Sequence, residues 1–288
     1  MTIASVERAS ILSPVRARRR RSAIPGFGLT LGLSITALCI VVLIPLSAIA
    51  IRAAGMGVSA FAAAAFSARA LHAYGLSFVA SLIGASVNAV FGLLTAWALV
   101  RYRFPGRAIL NALVDLPFAL PTAVAGVALA GLYSSNGWIG GALAPLGIKT
   151  AYNQTGVVIA LTFVGLPFVV RTVEPVLRDL AIDVEEASAS LGADRLQTFA
   201  RVILPALAPA WITGFTLAFA RAVGEYGSVI FIAGNMPYKT EIAPLLITIE
   251  LEQFDYGSAS AIAAVMLAVA FAMLLAINLI QTWARRFS

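Results

Sequence analysis

Residues 155–173 read TGVVIALTFVGLPFVVRTV and contain a single charged residue, Arg171. A helix of about 20 mostly apolar residues is long enough to cross roughly 30 Å of hydrocarbon. A polar segment, residues 174–205, follows directly and carries both acidic and basic side chains. The stretch therefore predicts a membrane-spanning helix that leads into a polar loop.

Five further stretches have similar length and composition. We predict six spans, at residues 29–51, 76–100, 108–132, 155–173, 206–232 and 258–283. The chain is 60% hydrophobic and 11% charged, which a water-soluble domain cannot carry without large exposed apolar patches. Because the spans are rich in Ala and Gly, their helix backbones can approach closely. We expect an all-α integral membrane protein with six transmembrane helices.

The basic residues predict the orientation of the spans. Of the 20 Lys and Arg residues, only Arg52, Arg69, Lys149 and Lys239 fall on the side opposite the N-terminus, and Arg221 falls within the fifth span. Loops rich in Lys and Arg stay in the cytoplasm. Both termini are therefore predicted to be cytoplasmic, and the net charge of +7 reflects topology rather than nucleic-acid binding.

The predicted spans and the distribution of basic residues divide the chain into four parts. Residues 1–28 form a basic cytoplasmic tail, 29–75 the first span with an external loop, 76–283 the main transmembrane domain, and 284–288 a cytoplasmic C-terminal tail. The basic run 16–21 resembles the start of a signal peptide, but the apolar stretch after it is long and lacks a small-residue cleavage site, so we expect a retained span. Cys39, the only cysteine, lies in that span and is assigned to packing.

We do not expect this chain to be an enzyme. Its only histidine, His72, falls in an external loop, and no set of His, Cys or carboxylate ligands predicts a metal site. A phosphate-binding loop ends in Gly-Lys-Ser or Gly-Lys-Thr, whereas the two lysines, Lys149 and Lys239, follow Ile148 and Tyr238. We predict no cofactor, and we expect any ATP hydrolysis to occur on another chain.

The polar segment 174–205 predicts two helices joined by a turn. Its apolar residues recur at spacings of three and four, which indicates an amphipathic helix; they are Leu177, Leu180, Val184, Ala187 and Leu191. Gly192 is expected to end this helix, and Asp194 to cap a second, short one before Pro205 starts the fifth span. Such a knob either docks into a groove on a partner or rests its apolar face on lipid headgroups.

One motif in this segment favours docking. Glu186-Ala187-Ser188, three residues, Gly192, nine residues and Val202-Ile203-Leu204-Pro205 resemble the EAA loop of binding-protein-dependent ABC importer permeases, with Ser188 for a second Ala and Val202 for Ile. The resemblance implies a type I (MetI-like) permease bundle whose loop inserts a coupling helix into an ATPase subunit. The coupling residues it implies are Glu185, Glu186, Ala187, Gly192, Leu204 and Pro205.

Two further runs narrow the resemblance. Residues 115–122, DLPFALPT, and residues 219–237, FARAVGEYGSVIFIAGNMP, resemble the sulfate, thiosulfate and molybdate permeases, and the second run is most similar to the sulfate/thiosulfate permease subunits known as CysT or CysU. This resemblance implies a second homologous permease subunit, a dimer of cytoplasmic ATPase subunits and a periplasmic sulfate/thiosulfate-binding protein as partners.

Besides Arg171 near the end of the fourth span, three charged residues fall inside predicted spans: Asp115, Arg221 and Glu225. Charges at this depth are costly unless they pair or face a water-filled cavity. Arg221 and Glu225 are four residues apart, so we predict a salt bridge between them. The pair is either structural or part of the anion path or its gate, since Arg is suited to binding oxyanions. Asp115 is a further candidate for the path or gate.

The sequence thus predicts a permease subunit of a bacterial inner-membrane ABC importer for sulfate or thiosulfate. A permease for molybdate, tungstate or another oxyanion would share nearly all of these features. An ATP-independent channel or carrier would not need the cytoplasmic knob, and a membrane enzyme lacks candidate catalytic groups.

Overall fold

A computed structural model describes the backbone of residues 27–284 and the side chains of residues 27–279. All regular elements within this range are helical, without a strand among them. Nearly all of the predicted tails, 1–28 and 284–288, lie outside the described residues. The chain divides into two compact units, Met1–Ser47 and Ala48–Ser288.

Fourteen α-helices run through the described residues. They are α1 (Phe27–Leu38), α2 (Ile44–Gly55), α3 (Val58–Ala65), α4 (Ala68–Arg101), α5 (Arg107–Ala119), α6 (Thr122–Tyr133), α7 (Trp138–Leu143), α8 (Gln154–Asp179), α9 (Ile182–Ser190), α10 (Arg195–Thr198), α11 (Leu204–Val223), α12 (Val229–Ile232), α13 (Ala243–Glu252) and α14 (Tyr256–Ala284). Two π turns, Cys39–Leu43 and Phe199–Ile203, and a 3₁₀ turn, Ala144–Leu146, join some of them.

Five continuous helical stretches within the described residues are long and apolar enough to cross a membrane. They are Phe27–Gly55, Ala68–Arg101, Gln154–Asp179, Arg195–Val223 and Tyr256–Leu279. A bent pair, Arg107–Ala119 with Thr122–Leu146, meets the same criteria when its halves are taken together. With this pair counted as one span, the total is the predicted six.

The third predicted span, 108–132, is not a single helix. Its two halves are bent by 119°, and the break falls at Leu120, which is extended with ψ 137°. Proline disfavours helical backbone in the residue before it and supplies no N–H to the helix. Pro121 therefore separates α5 from α6, whereas Pro117 is accommodated within α5.

The fifth predicted span, 206–232, is displaced along the chain. The helical stretch begins at Arg195 and ends at Val223, where Gly224 leaves the helix. Residues 229–232 form the separate short helix α12. Pro205 does not mark the start of this stretch: it lies in the first turn of α11, and just before it the chain widens into a π turn in which the Leu204 N–H donates to the Phe199 carbonyl.

Helices α4, α8 and α11 form the core of the second unit, and small residues set their spacing. A Cβ atom added to Gly92 of α4 would lie 2.8 Å from the Val169 Cβ of α8. A Cβ atom on Gly214 of α11 would lie 2.9 Å from the Val169 Cα. The indole N–H of Trp211 also donates to the Ala89 carbonyl across 2.7 Å. Close backbone approach of this kind is typical of helix packing in lipid.

Large apolar side chains cover the outer faces of the spans. Leu29, Val41 and Phe271 are 79%, 71% and 68% exposed. Exposure of long apolar runs on helices of spanning length is the arrangement expected for contact with hydrocarbon.

Candidate coupling segment and charged sites in the membrane

The polar segment 174–205 folds as two helices about a glycine turn, as predicted, but with different boundaries. Helix α8 continues through residues 174–179, so Leu177 is buried in the core and does not belong to the amphipathic helix. The first helix of the segment is α9, which starts at Ile182 after two extended residues. Asp183 and Glu185 occupy its first turn, where negative charge is favoured by the helix dipole.

Gly192 ends α9 in the left-handed conformation, with φ 86°. The Ala193 N–H donates to the Ser188 carbonyl and the Gly192 N–H donates to the Ala189 carbonyl, which is the Schellman arrangement of a helix C-terminus. Residues with a Cβ atom adopt this conformation only at a cost, whereas glycine does not. The predicted turn at Gly192 is therefore present for the expected reason.

Asp194 starts the second helix, as predicted. Its carboxylate accepts a hydrogen bond from the Gln197 N–H at 2.7 Å, and the Gln197 side chain accepts one from the Asp194 N–H at 3.2 Å. This reciprocal pair is a capping box. The second helix is longer than expected, since α10, the π turn and α11 follow one another without a break.

The surface of this segment combines an acidic residue with apolar ones. Glu186 is exposed, and Leu191 and Leu196, on either side of the Gly192 turn, are 89% and 75% exposed. Ile182 is also exposed, at 58%. Of the predicted apolar stripe, Val184 and Leu191 are exposed whereas Leu177 is buried in α8, and Ile182 and Leu196 add to the exposed apolar surface.

Two residues of the EAA-like motif point inward. Glu185 lies 2.6 Å from the Arg101 guanidinium at the end of α4, so its charge is engaged within the chain. The Ser188 hydroxyl is 3.0 Å from the Thr198 hydroxyl and joins α9 to α10. Ser188, one of the two departures from the motif, thus makes a contact that alanine could not make.

Arg221 and Glu225 form the predicted ion pair. Arg221 Nη1 lies 2.5 Å from Glu225 Oε2, and the two side chains are 37% and 2% exposed. The other carboxylate oxygen, Oε1, accepts hydrogen bonds from the N–H and hydroxyl of Ser228 at 2.9 and 3.0 Å. The two residues do not share a helix, because α11 ends at Val223, so the buried carboxylate connects the end of α11 to the start of α12.

Asp115 belongs to a different cluster. Its two carboxylate oxygens accept hydrogen bonds from Arg171 at 2.8 and 2.5 Å. Arg171 also donates to Glu174 at 2.5 Å and to the Asn111 side chain at 3.0 Å, and Arg178 pairs with the other oxygen of Glu174. The ion contacts of the described residues therefore do not join Asp115 to Arg221 and Glu225, with which the sequence grouped it.

Sequence reasoning missed Arg171 and Glu174, because both fall at the edge of the fourth predicted span and were assigned to a cytoplasmic loop. Both lie inside α8 instead, and Glu174 is buried. The spacing of Arg171, Glu174 and Arg178 at three and four residues was the available signal, since it places all three on one helix face.

A second ion pair that the sequence did not predict lies at the other end of α4. Arg69 donates two hydrogen bonds to the Glu241 carboxylate, at 2.8 and 2.6 Å. The Glu241 side chain is 1% exposed. This ion pair links the segment before α13 to the first turn of α4.

A family model described as "Binding-protein-dependent transport system inner membrane component" matches residues 88–288. The chain belongs to this family. The match includes the coupling segment, the Arg221–Glu225 pair and the cluster around Arg171, and it confirms the family resemblance seen in the EAA-like motif.

Known relatives and solved structures agree with this assignment. The sulfate transport system permease protein CysT of Salmonella typhimurium is 48% identical over 91% of this chain and 95% of its own length. The probable sulfate transport system permease protein cysT of Nephroselmis olivacea is 51% identical over 85% of this chain and 86% of its own. A bacterial ABC transporter involved in the import of the acidic polysaccharide alginate has a similar fold, with a TM-score of 0.73, 16% identity and coverage of 91% and 96%.

These findings confirm two predictions. The fold is the all-α MetI-like bundle of ABC importer permeases, and the relatives are of the CysT type that the run 219–237 resembled. The chain is thus a membrane component of a transport system.

Proposed function

We propose that this chain is the permease subunit of an ATP-driven importer that moves sulfate or thiosulfate across the bacterial inner membrane. The observation that carries the proposal is 48% identity over 91% of the chain with a permease named for sulfate transport. Following the distribution of Lys and Arg, both termini are assigned to the cytoplasm.

ATP hydrolysis is assigned to a separate dimer of ATPase subunits that binds the coupling segment. Leu191 and Leu196 are exposed on either side of the Gly192 turn and form an apolar tip of the segment. Glu186 lies nearby in α9. An apolar centre with charged residues around it is the usual composition of a protein interface. The competing arrangement, in which the tip rests on lipid headgroups, would leave the segment without a link to ATP.

The remaining partners complete the importer. We assign a second homologous permease subunit beside this chain, which would form the path between the two bundles, and a periplasmic sulfate/thiosulfate-binding protein on the external side. These partners are supported by the solved structures of similar fold, which are ABC transporters; one of them is in complex with a periplasmic protein.

Arg221 is our candidate contact for the anion in or beside the path. Its side chain is 37% exposed although Glu225 beneath it is buried, so the guanidinium has free surface to present while its orientation is fixed. Asp115 is more exposed still, at 47%, and as part of the Arg171 cluster it would act nearer the cytoplasmic end of the path.

Growth and uptake measurements test the proposal directly. A bacterial strain that lacks its own sulfate permease should grow on sulfate as sole sulfur source when it expresses this chain with its partner subunits, and it should accumulate radiolabelled sulfate. Omission of the ATPase subunit should abolish uptake. Uptake of molybdate without sulfate would contradict the substrate, and uptake that persists without the ATPase would indicate a channel or carrier.

A further inference from the structure

Arg101, the last residue of α4, contacts two other parts of the chain and an aromatic ring of its own helix. Its Nη2 atom lies 2.6 Å from the Glu185 carboxylate of α9 and donates to the Leu180 carbonyl, at the end of α8, across 3.1 Å. The guanidinium carbon also sits 5.8 Å from the centre of the Trp97 ring. The Arg101 side chain is 13% exposed and that of Glu185 is 26% exposed.

Trp97 extends these contacts to the fifth span. Its ring packs edge-on against Phe199, with ring centres 5.9 Å apart. Phe199 begins the π turn that leads into α11. Arg101 therefore lies where the coupling helix α9 meets the ends of α4, α8 and α11, the three helices of the core.

We propose that Arg101 and Glu185 form a mechanical tie that transmits displacement of the coupling helix to the three core helices. This inference rests on the proposed function, because it assumes that an ATPase moves α9. Arg101 is a positioning residue: it acts through Glu185, whose carboxylate lies against the end of α4.

The geometry favours transmission over simple anchoring. Two extended residues, Leu180 and Ala181, separate α9 from α8, so the backbone alone does not make them one rigid body. The planar guanidinium can lie over the Trp97 ring, donate to the Leu180 carbonyl and form an ion pair with Glu185 at once, whereas a lysine ammonium has no plane to stack on the ring. Without the tie, α9 could follow the ATPase while the core helices stayed in place.

The test uses the complete importer, reconstituted in proteoliposomes with its partner subunits and the binding protein. We expect Arg101→Ala to leave the amount of co-purifying ATPase subunit unchanged, while the number of sulfate ions imported per ATP hydrolysed falls by about 3- to 30-fold. Arg101→Lys should fall in between. The double variant Arg101→Glu/Glu185→Arg should recover part of the ratio lost in either single variant.

Arg103→Ala is the matched control, since Arg103 is an exposed arginine two residues further along, and its ratio should equal that of the wild type. An unchanged ratio in Arg101→Ala would overturn the tie. Loss of the ATPase subunit from Arg101→Ala would also overturn it, because Arg101 would then serve docking or folding. A wild-type importer that moves no sulfate would contradict the proposed function instead, so the two failures are distinguishable.

Discussion

At the scale of single residues, the most constrained charge in the membrane is Glu225. Three groups on two elements donate to its carboxylate, namely Arg221 and both the N–H and the hydroxyl of Ser228. A buried carboxylate needs such compensation, because removal of its cation leaves an unpaired charge in a medium of low dielectric constant. Arg221 thus has a structural as well as a candidate transport role.

The two roles of Arg221 can be separated with variants. Arg221→Ala should lower the free energy of unfolding by about 3–5 kcal/mol, because Glu225 loses its cation. The double variant Arg221→Ala/Glu225→Gln should regain most of that stability, as measured by thermal unfolding in detergent. If Arg221 contacts the anion, the stable double variant should still import sulfate at least about tenfold more slowly, which corresponds to about 1.4 kcal/mol. Wild-type uptake in the double variant would leave only the structural role.

The cluster around Arg171 allows a second prediction at this scale. Glu174 is buried and holds two arginines, whereas the Asp115 side chain is 47% exposed. Glu174→Gln should therefore destabilise the permease by about 1–3 kcal/mol, because a buried carboxylate that accepts from two arginines is lost. Asp115→Asn should cost about 0.2–1 kcal/mol, because Arg171 keeps its contacts with Glu174 and Asn111 and solvent screens the pair. Equal losses of thermal stability in the two variants would contradict this ranking.

At the scale of elements, the coupling segment depends on one backbone conformation. A Cβ atom on Gly192 would meet no other atom within 4 Å, yet the residue has φ 86°. Any cost of substitution there is therefore a backbone cost and not a clash. The turn sets the angle between α9 and α10 and thereby the position of Leu191 relative to Leu196.

Gly192→Ala should cost about 1–2 kcal/mol of local stability and weaken retention of the ATPase subunit during purification. Gly192→Asn should be milder, since asparagine tolerates the left-handed region better than alanine. Gly75→Ala is the control, because Gly75 also has open space around it but lacks a positive φ. Full ATPase retention in Gly192→Ala would show that the turn angle does not matter for docking.

At the scale of the whole molecule, counting the bent pair as one of six spans predicts that the coupling segment and the loop around Trp138 lie on opposite sides of the membrane. Five helical stretches and one bent pair separate the chain into alternating loops. The bias of Lys and Arg then assigns the coupling segment to the cytoplasm. This orientation is the assumption on which the ATPase and binding-protein assignments depend.

Thiol labelling tests the orientation, because Cys39 is the only cysteine of the chain. In a Cys39→Ser background, Leu191→Cys and Trp138→Cys introduce thiols at positions that are 89% and 88% exposed. A reagent that does not cross membranes should label Trp138→Cys in spheroplasts and Leu191→Cys only in inverted vesicles. The background variant without added cysteines is the control, and the reverse pattern would invert the topology.

Local sequence features were enough to predict the class of fold, the turn at Gly192, the cap at Asp194 and the contact between Arg221 and Glu225. The first three follow from local rules: apolar runs of spanning length, backbone freedom of glycine and side-chain capping. The contact was predicted from a spacing of four residues on one helix, and it forms although Glu225 lies beyond the end of α11. Leu120 before Pro121 also obeys a local rule, although the sequence reading treated the two halves as one span.

Which charges on distant helices meet depends on the packing of those helices and could not be predicted from the sequence. Asp115 pairs with Arg171, 56 residues away, and Glu185 pairs with Arg101, at the end of α4. Pairing over such separations depends on which helices pack together and at what height, and here small residues such as Gly92 and Gly214 set that packing. For this reason the sequence could not predict that Glu185, one of the expected coupling residues, pairs with Arg101 at the end of α4.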